Sequence, residues 1–248
     1  MTEARVGRDY NRWLRDSLSR RLLGLLPDMP RLILIDTPAF NLHEELQLKP
    51  EHRLLDIGCG SGALLQLMDS RVRFKHRPIG IDLSRSMLGP DRRDKTREEL
   101  IQASGLALPF PDESIDVITC GHVVKRLDDD GLLQIMREMQ RVLVKGGIAL
   151  LWELAPTSSK ALNAWNKRVV TLGVGECNLR NYTTLSAYAL EADFDFAGNA
   201  HLRPFLFPPI PRVSLLLGKA PKDWSPGLQS SAVVEGEAVA LANGSARP

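Results

Sequence analysis

The feature that most constrains this chain is a short apolar run that ends directly in a glycine-rich loop. The run extends from Arg53 to Ile57, and Gly58-Cys59-Gly60-Ser61-Gly62 follows it. Glycine adopts left-handed backbone conformations and has no Cβ, so such a loop lets the main chain approach a ligand closely. A strand, a glycine loop and a helix in this order are typical of a nucleoside-cofactor site.

Strands and helices alternate after this loop. Apolar runs predict three further strands, at Ile79 to Leu83, Ile115 to Cys120 and Ile148 to Trp152. Helices are expected over Ser61 to Met68, from Ser84, after the acidic cap at 128–130, and over Thr184 to Ala192, with a last strand at Val213 to Leu217. This rhythm predicts βαβ units in a mostly parallel sheet with helices on both faces, an α/β Rossmann-like fold. The loops that follow the strands then share one edge of the sheet, where ligands bind.

The chain divides into three predicted regions. Residues 1–50 form an N-terminal helical cap, 51–220 the α/β domain, and 221–248 a disordered tail that has few large apolar residues. The first helix is expected at Asp9 to Leu26, where leucines recur at helical spacing. It either packs on the domain or lies at the surface, where it touches a membrane or covers a substrate pocket.

Composition excludes several classes of protein. The net charge of +2 and the absence of an aromatic-studded basic stripe disfavour a nucleic-acid partner. Three cysteines without a short-spaced pair predict neither a disulfide framework nor a metal site. There is no signal-peptide pattern and no apolar run of membrane-spanning length. We therefore expect a soluble, cytoplasmic protein.

The glycine spacing and Asp56 narrow the choice of cofactor, whereas Asp82 fits either nucleoside-type cofactor. A dinucleotide site has the spacing G-x-G-x-x-G, whereas the third glycine comes one position early here. Asp56 precedes the first glycine by two residues, where a carboxylate repels a pyrophosphate but suits a ligand that carries an ammonium group. Asp82 ends the next strand, where it can accept hydrogen bonds from both ribose hydroxyls or, alternatively, cap the following helix.

Two longer motifs carry a resemblance to a known family. The stretch LPFPDESIDV occupies 108–117, and RVLVKGG occupies 141–147. With the glycine loop, the chain from Leu54 to Glu153 resembles the class I S-adenosylmethionine-dependent methyltransferases, in particular those of ubiquinone and menaquinone biosynthesis. The resemblance implies a single domain with a seven-stranded sheet, with S-adenosylmethionine as cofactor and a small-molecule methyl acceptor as substrate.

The resemblance also implies a set of cofactor contacts. Asp56 and the backbone of Gly58, Cys59 and Gly60 would line the methionine part of the cofactor, and Asp82 would hold the ribose. Leu83 and Met87 would lie against the adenine ring, and Ser104 and Gly105 would contact the adenine amine. Cys120 and Gly121 would form the floor below the sulfonium. The chain departs from the family at three places. Ser104 replaces the usual aspartate, Lys125-Arg126 replaces a common pair of histidines, and the proline before Gly146-Gly147 is missing.

Methyl transfer from a sulfonium depends mainly on orientation, and a general base is needed only if the acceptor arrives protonated. The candidate bases are His122 and Glu153, which follow the fourth and fifth strands, with Tyr182 and His201 less favoured. Apolar residues in the last third predict a lipophilic or aromatic acceptor: Trp165, Val169, Leu172, Leu179 and Tyr182. Two alternatives stay open, a catalytically silent relative that acts through a partner and a nicotinamide-dependent oxidoreductase.

Overall fold

The computed structural model describes residues 42–88, 97–159, 162–164, 178–200 and 212–221. Within them, five helices and a 3₁₀ turn accompany seven strands. The helices are α1 (Leu42–Glu45), α2 (Ala63–Val72), α3 (Arg85–Leu88), α4 (Asp129–Val142) and α5 (Tyr182–Glu191), and the 3₁₀ turn is Val124–Arg126. The strands are β1 (Leu54–Ile57), β2 (Ile79–Asp82), β3 (Glu99–Gln102), β4 (Ile115–Gly121), β5 (Leu143–Leu154), β6 (Phe196–Asn199) and β7 (Arg212–Gly218).

The seven strands form one sheet in the order β3-β2-β1-β4-β5-β7-β6. The first five strands are parallel, and β7 runs antiparallel to both β5 and β6. The predicted mostly parallel, seven-stranded Rossmann-like sheet is therefore confirmed. Strand order reverses between β1 and β4, which lie side by side although β2 and β3 come between them in sequence. In open α/β sheets, this reversal opens a crevice at the carboxyl ends of the two strands.

Apolar helix faces cover both sides of the sheet. The helix α4 begins at Asp128, whose side chain accepts a hydrogen bond from the backbone N–H of Gly131 at 3.0 Å. It buries Leu132, Ile135, Met136 and Met139 against one face of the sheet. The helix α2 buries Leu64, Leu65 and Met68 against the opposite face. Burial of these helix faces fixes the sheet edge on which the loops after β1 and β4 lie.

Two strands differ from the sequence expectation. The edge strand β3 was not predicted, because its four residues include only Leu100 and Ile101 as apolar side chains. The strand β5 begins at Leu143 rather than after the two glycines, and its pairing with β4 shifts register between Ile115 and Val117. Gly146, with φ of 83°, lies in this irregular part, and its N–H donates to the carbonyl of Lys219 at 2.8 Å. The glycines thus bend the strand rather than precede it.

Several predicted elements lie outside the described residues. They are the helix at 9–26, most of the 1–50 cap and the tail after 221. The sequence also predicts a helix over Leu162 to Leu172, of which only 162–164 are described, and these are helical. No helix in the described parts of the chain is both long and apolar enough to cross a bilayer.

Candidate active site

The candidate site lies where β1 and β4 end side by side. Register pairs Ile57 with Cys120, so the glycine loop after β1 and Gly121 after Cys120 leave the sheet next to each other. An added Cβ on Gly58 would lie 2.2 Å from Cγ2 of Val123 and 3.9 Å from the carbonyl oxygen of Gly121. Residues 121–123 are therefore packed directly on the glycine loop.

Left-handed backbone conformations shape the loop. Gly58, Gly60 and Gly62 have φ of 78°, 54° and 78°, values that residues with side chains rarely adopt. The N–H groups of Gly58 and Cys59 both donate to the carbonyl of Ile81, at 2.8 and 3.0 Å. These bonds tie the loop to the end of β2, and the glycine requirement inferred from the sequence follows from this geometry.

Asp82 bridges the loops after β1 and β2. Its Oδ2 accepts the N–H of Gly60 at 3.1 Å, and its Oδ1 accepts the N–H of Ser84 at 2.8 Å. Burial raises the pKa of the Asp82 carboxyl. The N–H groups of Ser84 and Gly60 act in the opposite direction but do not outweigh burial. A carboxylate has about four acceptor positions, so Asp82 can also accept hydroxyl donors from a ligand. The helix-cap and ligand-binding interpretations of this residue are therefore compatible.

The residues predicted to surround an adenine are brought to the same edge. Met87 packs toward the loop, with its Cε 3.6 Å from an ideal Cβ on Gly60. Leu83 is exposed, and its carbonyl accepts a hydrogen bond from the amide of Gln102 at 3.2 Å. Ser104 Oγ accepts the N–H of Leu106 at 2.9 Å and so stabilises a tight turn. The adenine contact predicted for Ser104 stays a prediction.

Other predicted contact residues are buried beneath this edge. Asp56 is only 4% exposed, and its Oδ1 accepts the hydroxyl of Thr119 at 2.7 Å. Cys59 and Cys120 are buried free thiols whose pKa burial raises, so neither is a reactive thiolate. Gly105 packs on Ile135, whose Cδ1 would lie 2.9 Å from an added Cβ.

Gly121 is enclosed by an aromatic ring. Three ring atoms of Trp152, on the neighbouring strand β5, would lie 2.3 to 2.7 Å from an added Cβ. Only glycine lets the indole ring pack against the end of β4. Gly121 is therefore required for packing here, and its predicted contact below the sulfonium stays a prediction.

A buried ion cluster joins the end of β5 to the residues that follow β4. Glu153 Oε1 lies 3.3 Å from Nδ1 of His122 and 3.2 Å from Nζ of Lys125, while Oε2 accepts the backbone N–H of Lys125 at 3.1 Å. Lys125 Nζ also donates to the carbonyl of His122. The side chains of Glu153 and Lys125 are 1% and 4% exposed, whereas that of His122 is 21% exposed. His122 is thus the most exposed member of the cluster.

The environment of Glu153 does not favour the general-base role predicted for it. Burial raises the pKa of its carboxyl, but the Lys125 ammonium and the hydrogen bond with His122 outweigh burial and lower the pKa to about 2. A carboxylate with such a pKa is a weak proton acceptor at neutral pH. Glu153 instead holds a fixed negative charge next to His122.

Lys125 is the site residue that sequence reasoning missed. The available signal was Glu153 itself, an acid between the predicted apolar strand Ile148 to Trp152 and Leu154, because a buried carboxylate requires a counter-charge. Of the less favoured bases, Tyr182 donates its hydroxyl to the carbonyl of Ala197 at 3.2 Å, and His201 lies outside the described residues. In the parts of the chain that are described, no group of three or more His, Cys, Asp or Glu side chains could hold a metal ion.

The two longer sequence motifs are joined by one ion-paired arginine. Arg141 donates to the carbonyls of Phe110 at 2.9 Å and Leu108 at 3.0 Å, and it pairs with Glu138 at 2.8 Å. Glu138 in turn accepts the N–H of Leu108 at 2.6 Å. The LPFP stretch and the arginine of RVLVKGG are thus parts of a single structural unit that anchors the loop before β4 to α4.

Comparison with known proteins agrees with the geometry. Residues 55–151 match the family model described as a methyltransferase domain. The matched residues include the glycine loop, Asp82 and the crevice between β1 and β4.

The chain is similar to curated quinone methyltransferases. One is 2-phytyl-1,4-naphtoquinone methyltransferase from Thermosynechococcus vestitus, 28% identical over 172 residues, which span 65% of this chain and 72% of that protein. Another is demethylmenaquinone methyltransferase from Listeria monocytogenes, 30% identical over 159 residues, which span 60% of this chain and 65% of that protein.

A solved structure shares the fold. Human N-acetylserotonin methyltransferase in complex with SAM superposes with a TM-score of 0.58 at 14% identity, over 74% of this chain and 52% of that chain. At this identity the likeness supports the fold alone.

Proposed function

We propose that this protein uses S-adenosylmethionine to methylate a small lipophilic or aromatic molecule. The observation that carries the proposal is the Asp82 carboxylate, hydrogen-bonded to Gly60 of the glycine loop at the crevice between β1 and β4. This arrangement supports an adenosyl ligand whose ribose lies on Asp82 and whose amino-acid part lies along the loop.

The residues at this edge fit the cofactor. Gly58 and Gly60 adopt positive φ values that favour glycine, so the backbone of the loop can lie close to a ligand, and the half-buried Asp82 can accept two hydroxyl donors. Asp56 places negative charge near the loop, which suits a cationic ligand and opposes a pyrophosphate. When bound, S-adenosylmethionine supplies an electrophilic methyl group on its sulfonium.

The chain's own residues mainly hold the cofactor in position and enclose it. Asp82 and the loop fix the position of the adenosyl group, and Val123 closes over Gly58 at the end of β4. Alignment of two reactants in this way can lower the activation free energy by about 7–11 kcal/mol in favourable models.

The names of the curated relatives support the class of methyl acceptor that we propose. The two curated relatives are named as methyltransferases of phytylnaphtoquinone and of demethylmenaquinone, both lipophilic aromatic molecules. We infer an acceptor of the same class. The buried free thiols of Cys59 and Cys120 fit a reducing compartment, and we place the protein in the cytoplasm.

A methyl-transfer assay tests the proposal. With ³H-methyl S-adenosylmethionine and 2-phytyl-1,4-naphthoquinone kept reduced by dithionite, we expect label to enter the organic phase in proportion to enzyme. The control reaction contains phosphoethanolamine, a polar amine acceptor, and should stay unlabelled. Cofactor binding without transfer to any reduced quinone or phenol would instead support the catalytically silent alternative.

A further inference from the structure

The connection between α2 and β2 concentrates positive charge. Its sequence at 71–77 is RVRFKHR, in which four of the seven residues are lysine or arginine and a fifth is histidine. All five of these side chains are exposed, whereas Phe74 in their midst is only 1% exposed. The connection precedes β2, so it lies at the opposite end of the strands from the glycine loop. It is therefore a surface separate from the candidate active site.

Further cations lie at the same edge of the sheet. Because β1, β2 and β3 are parallel and adjacent, the residues that precede them lie side by side. Lys49 and Arg53 precede β1 and Arg97 precedes β3, and all three are exposed. The N–H of Lys75 donates to the carbonyl of Pro50 at 2.7 Å, which joins the connection before β1 to the one before β2. We call residues 49–53, 71–77 and 97 together the basic surface.

Hydrogen bonds fix the backbone that carries these cations. The N–H of Phe74 donates to the Asp69 carboxylate at 3.1 Å, and the carbonyl of Phe74 accepts Nη2 of Arg97 at 2.7 Å. Arg73 ends α2 in a left-handed conformation, with φ of 55°, and its N–H donates to the carbonyl of Asp69 at 2.8 Å. The buried Phe74 ring packs in the core cluster that covers α2. The basic surface therefore presents its charges from a defined structure.

Few acids neutralise the basic surface. It contains two ion pairs, Lys75–Glu51 at 2.6 Å and Arg97–Asp69 at 3.6 Å. In the part of the chain that is described, no acid pairs with the three arginines of 71–77. Glu99 at the start of β3 adds one more exposed acid. Seven cations thus face three acids here, in a chain whose total net charge is only +2.

The composition of the basic surface favours an anionic membrane over a protein or a nucleic acid. Protein interfaces have an apolar centre, and none of the exposed large apolar side chains of the described residues lies here. Single-stranded nucleic acid stacks its bases on exposed aromatic rings, and Phe74, the only Phe, Tyr or Trp in these segments, is buried. Cations spread across the ends of three strands without an apolar centre match a plane of phosphate head groups.

We propose that the basic surface binds this protein to membranes that contain anionic phospholipids. Clusters of about four to eight lysines and arginines are sufficient for such binding, since each cation near the head groups strengthens it about fivefold. The inference goes beyond the proposed methyl transfer and does not depend on it. The crevice between β1 and β4 lies at the opposite end of the strands, so it stays open to the cofactor while the basic surface is occupied.

Vesicle sedimentation with the full chain tests the proposal. One set of vesicles contains phosphatidylcholine alone, and the other contains phosphatidylcholine and phosphatidylglycerol in equal parts. At a salt concentration of about 0.1 M, we expect the protein to sediment only with the vesicles that contain phosphatidylglycerol. The bound protein should be released at about 1 M salt, where charges are screened within about 3 Å.

A triple substitution in the basic surface gives the sharper measurement. Arg71→Gln, Arg73→Asn and Arg77→Gln together remove three cations, and asparagine tolerates the left-handed backbone at position 73. Binding to the anionic vesicles should weaken at least about 30-fold. The matched control is Arg85→Gln/Arg137→Gln/Lys145→Gln, which removes the same charge from exposed positions elsewhere. It should weaken binding less than about fivefold, and circular dichroism confirms that both variants are folded.

Several outcomes would overturn the proposal. Equal sedimentation of the wild type with both kinds of vesicle, or equal losses in the two triple variants, would show that the basic surface has no special affinity for anionic lipid. Wild-type binding by the basic-surface variant would place the membrane contact elsewhere in the chain, for example in the predicted helix at 9–26. Tighter binding to a DNA duplex than to the anionic vesicles at the same salt concentration would assign the surface to nucleic acid. Binding to the vesicles without binding of any adenosyl ligand would support this inference and reject the proposed function.

Discussion

Lys125→Met should lower the free energy of unfolding at pH 7 by about 3–5 kcal/mol, as expected when one partner of a buried ion pair is removed. The side chains of Lys125 and Glu153 are 4% and 1% exposed, and Nζ lies 3.2 Å from Oε1. Methionine fills a similar volume but leaves the carboxylate buried without its counter-charge. Urea denaturation followed by circular dichroism measures the loss.

The loss should depend on pH in a defined direction. In the wild type, the pKa of Glu153 is lowered from 4.5 to about 2, so its stabilising contribution is present above pH 4.5 and fades as pH falls toward 2. In the variant, burial is no longer opposed by Lys125 and raises the pKa of this carboxyl. As pH falls, Glu153 is then protonated in the variant before it is protonated in the wild type, which removes the buried charge. The difference in unfolding free energy between the wild type and the variant should therefore shrink between pH 7 and pH 4.5.

Two controls show whether the loss of stability comes from the Lys125–Glu153 ion pair rather than from any replacement of lysine by methionine. Lys145→Met, at an exposed lysine, should change stability by less than about 0.5 kcal/mol. The double variant Lys125→Met/Glu153→Leu should recover most of the loss, because no charge is left buried. A Lys125→Met protein as stable as the wild type, or a difference that grows at low pH, would show that the two groups are not paired in the folded protein.

Asp82→Ala should weaken binding of S-adenosylhomocysteine by at least about 100-fold. Each hydrogen bond to a charged acceptor is worth about 1.5–3 kcal/mol, and the ribose offers two hydroxyls. The substitution also removes the acceptors of the Gly60 and Ser84 N–H groups, which loosens the glycine loop. Calorimetric titration, with circular dichroism to confirm folding, gives the affinity.

Asp82→Asn and Glu99→Gln are the comparison variants for this loss of affinity. Asparagine keeps one carbonyl oxygen and should bind with intermediate affinity. Glu99→Gln removes an exposed carboxylate from the adjacent strand β3 and should leave the affinity within about threefold. Equal affinity in Asp82→Ala and wild type would mean that the ribose does not lie on Asp82.

The sequence predicted the elements whose local signals were strong. The apolar run before Gly58 became β1, Asp82 came to the end of β2, and Asp128 capped α4. These features depend on local periodicity and capping chemistry, which neighbouring residues determine. The parallel sheet followed from their alternation, and it correctly placed His122 and Glu153 at one edge.

Features that depend on long-range packing could not be predicted in this way. Lys125 and Glu153 are 28 residues apart, and their pairing requires β5 to lie beside β4 together with the 3₁₀ turn that points Lys125 inward. The short strand β3 is stabilised by pairing with β2 rather than by its own apolar content. The left-handed conformation of His122 likewise results from its surroundings, since no local motif calls for it.

Calorimetric titration of the full chain with S-adenosylmethionine, S-adenosylhomocysteine and NAD tests the central claim most directly. We expect both adenosyl ligands to bind at one site per chain, and NAD to produce no heat of binding. The carboxylate of Asp56 and the early third glycine account for that selectivity. Binding of NAD without binding of either adenosyl ligand would contradict the assignment of this loop to a methyl donor.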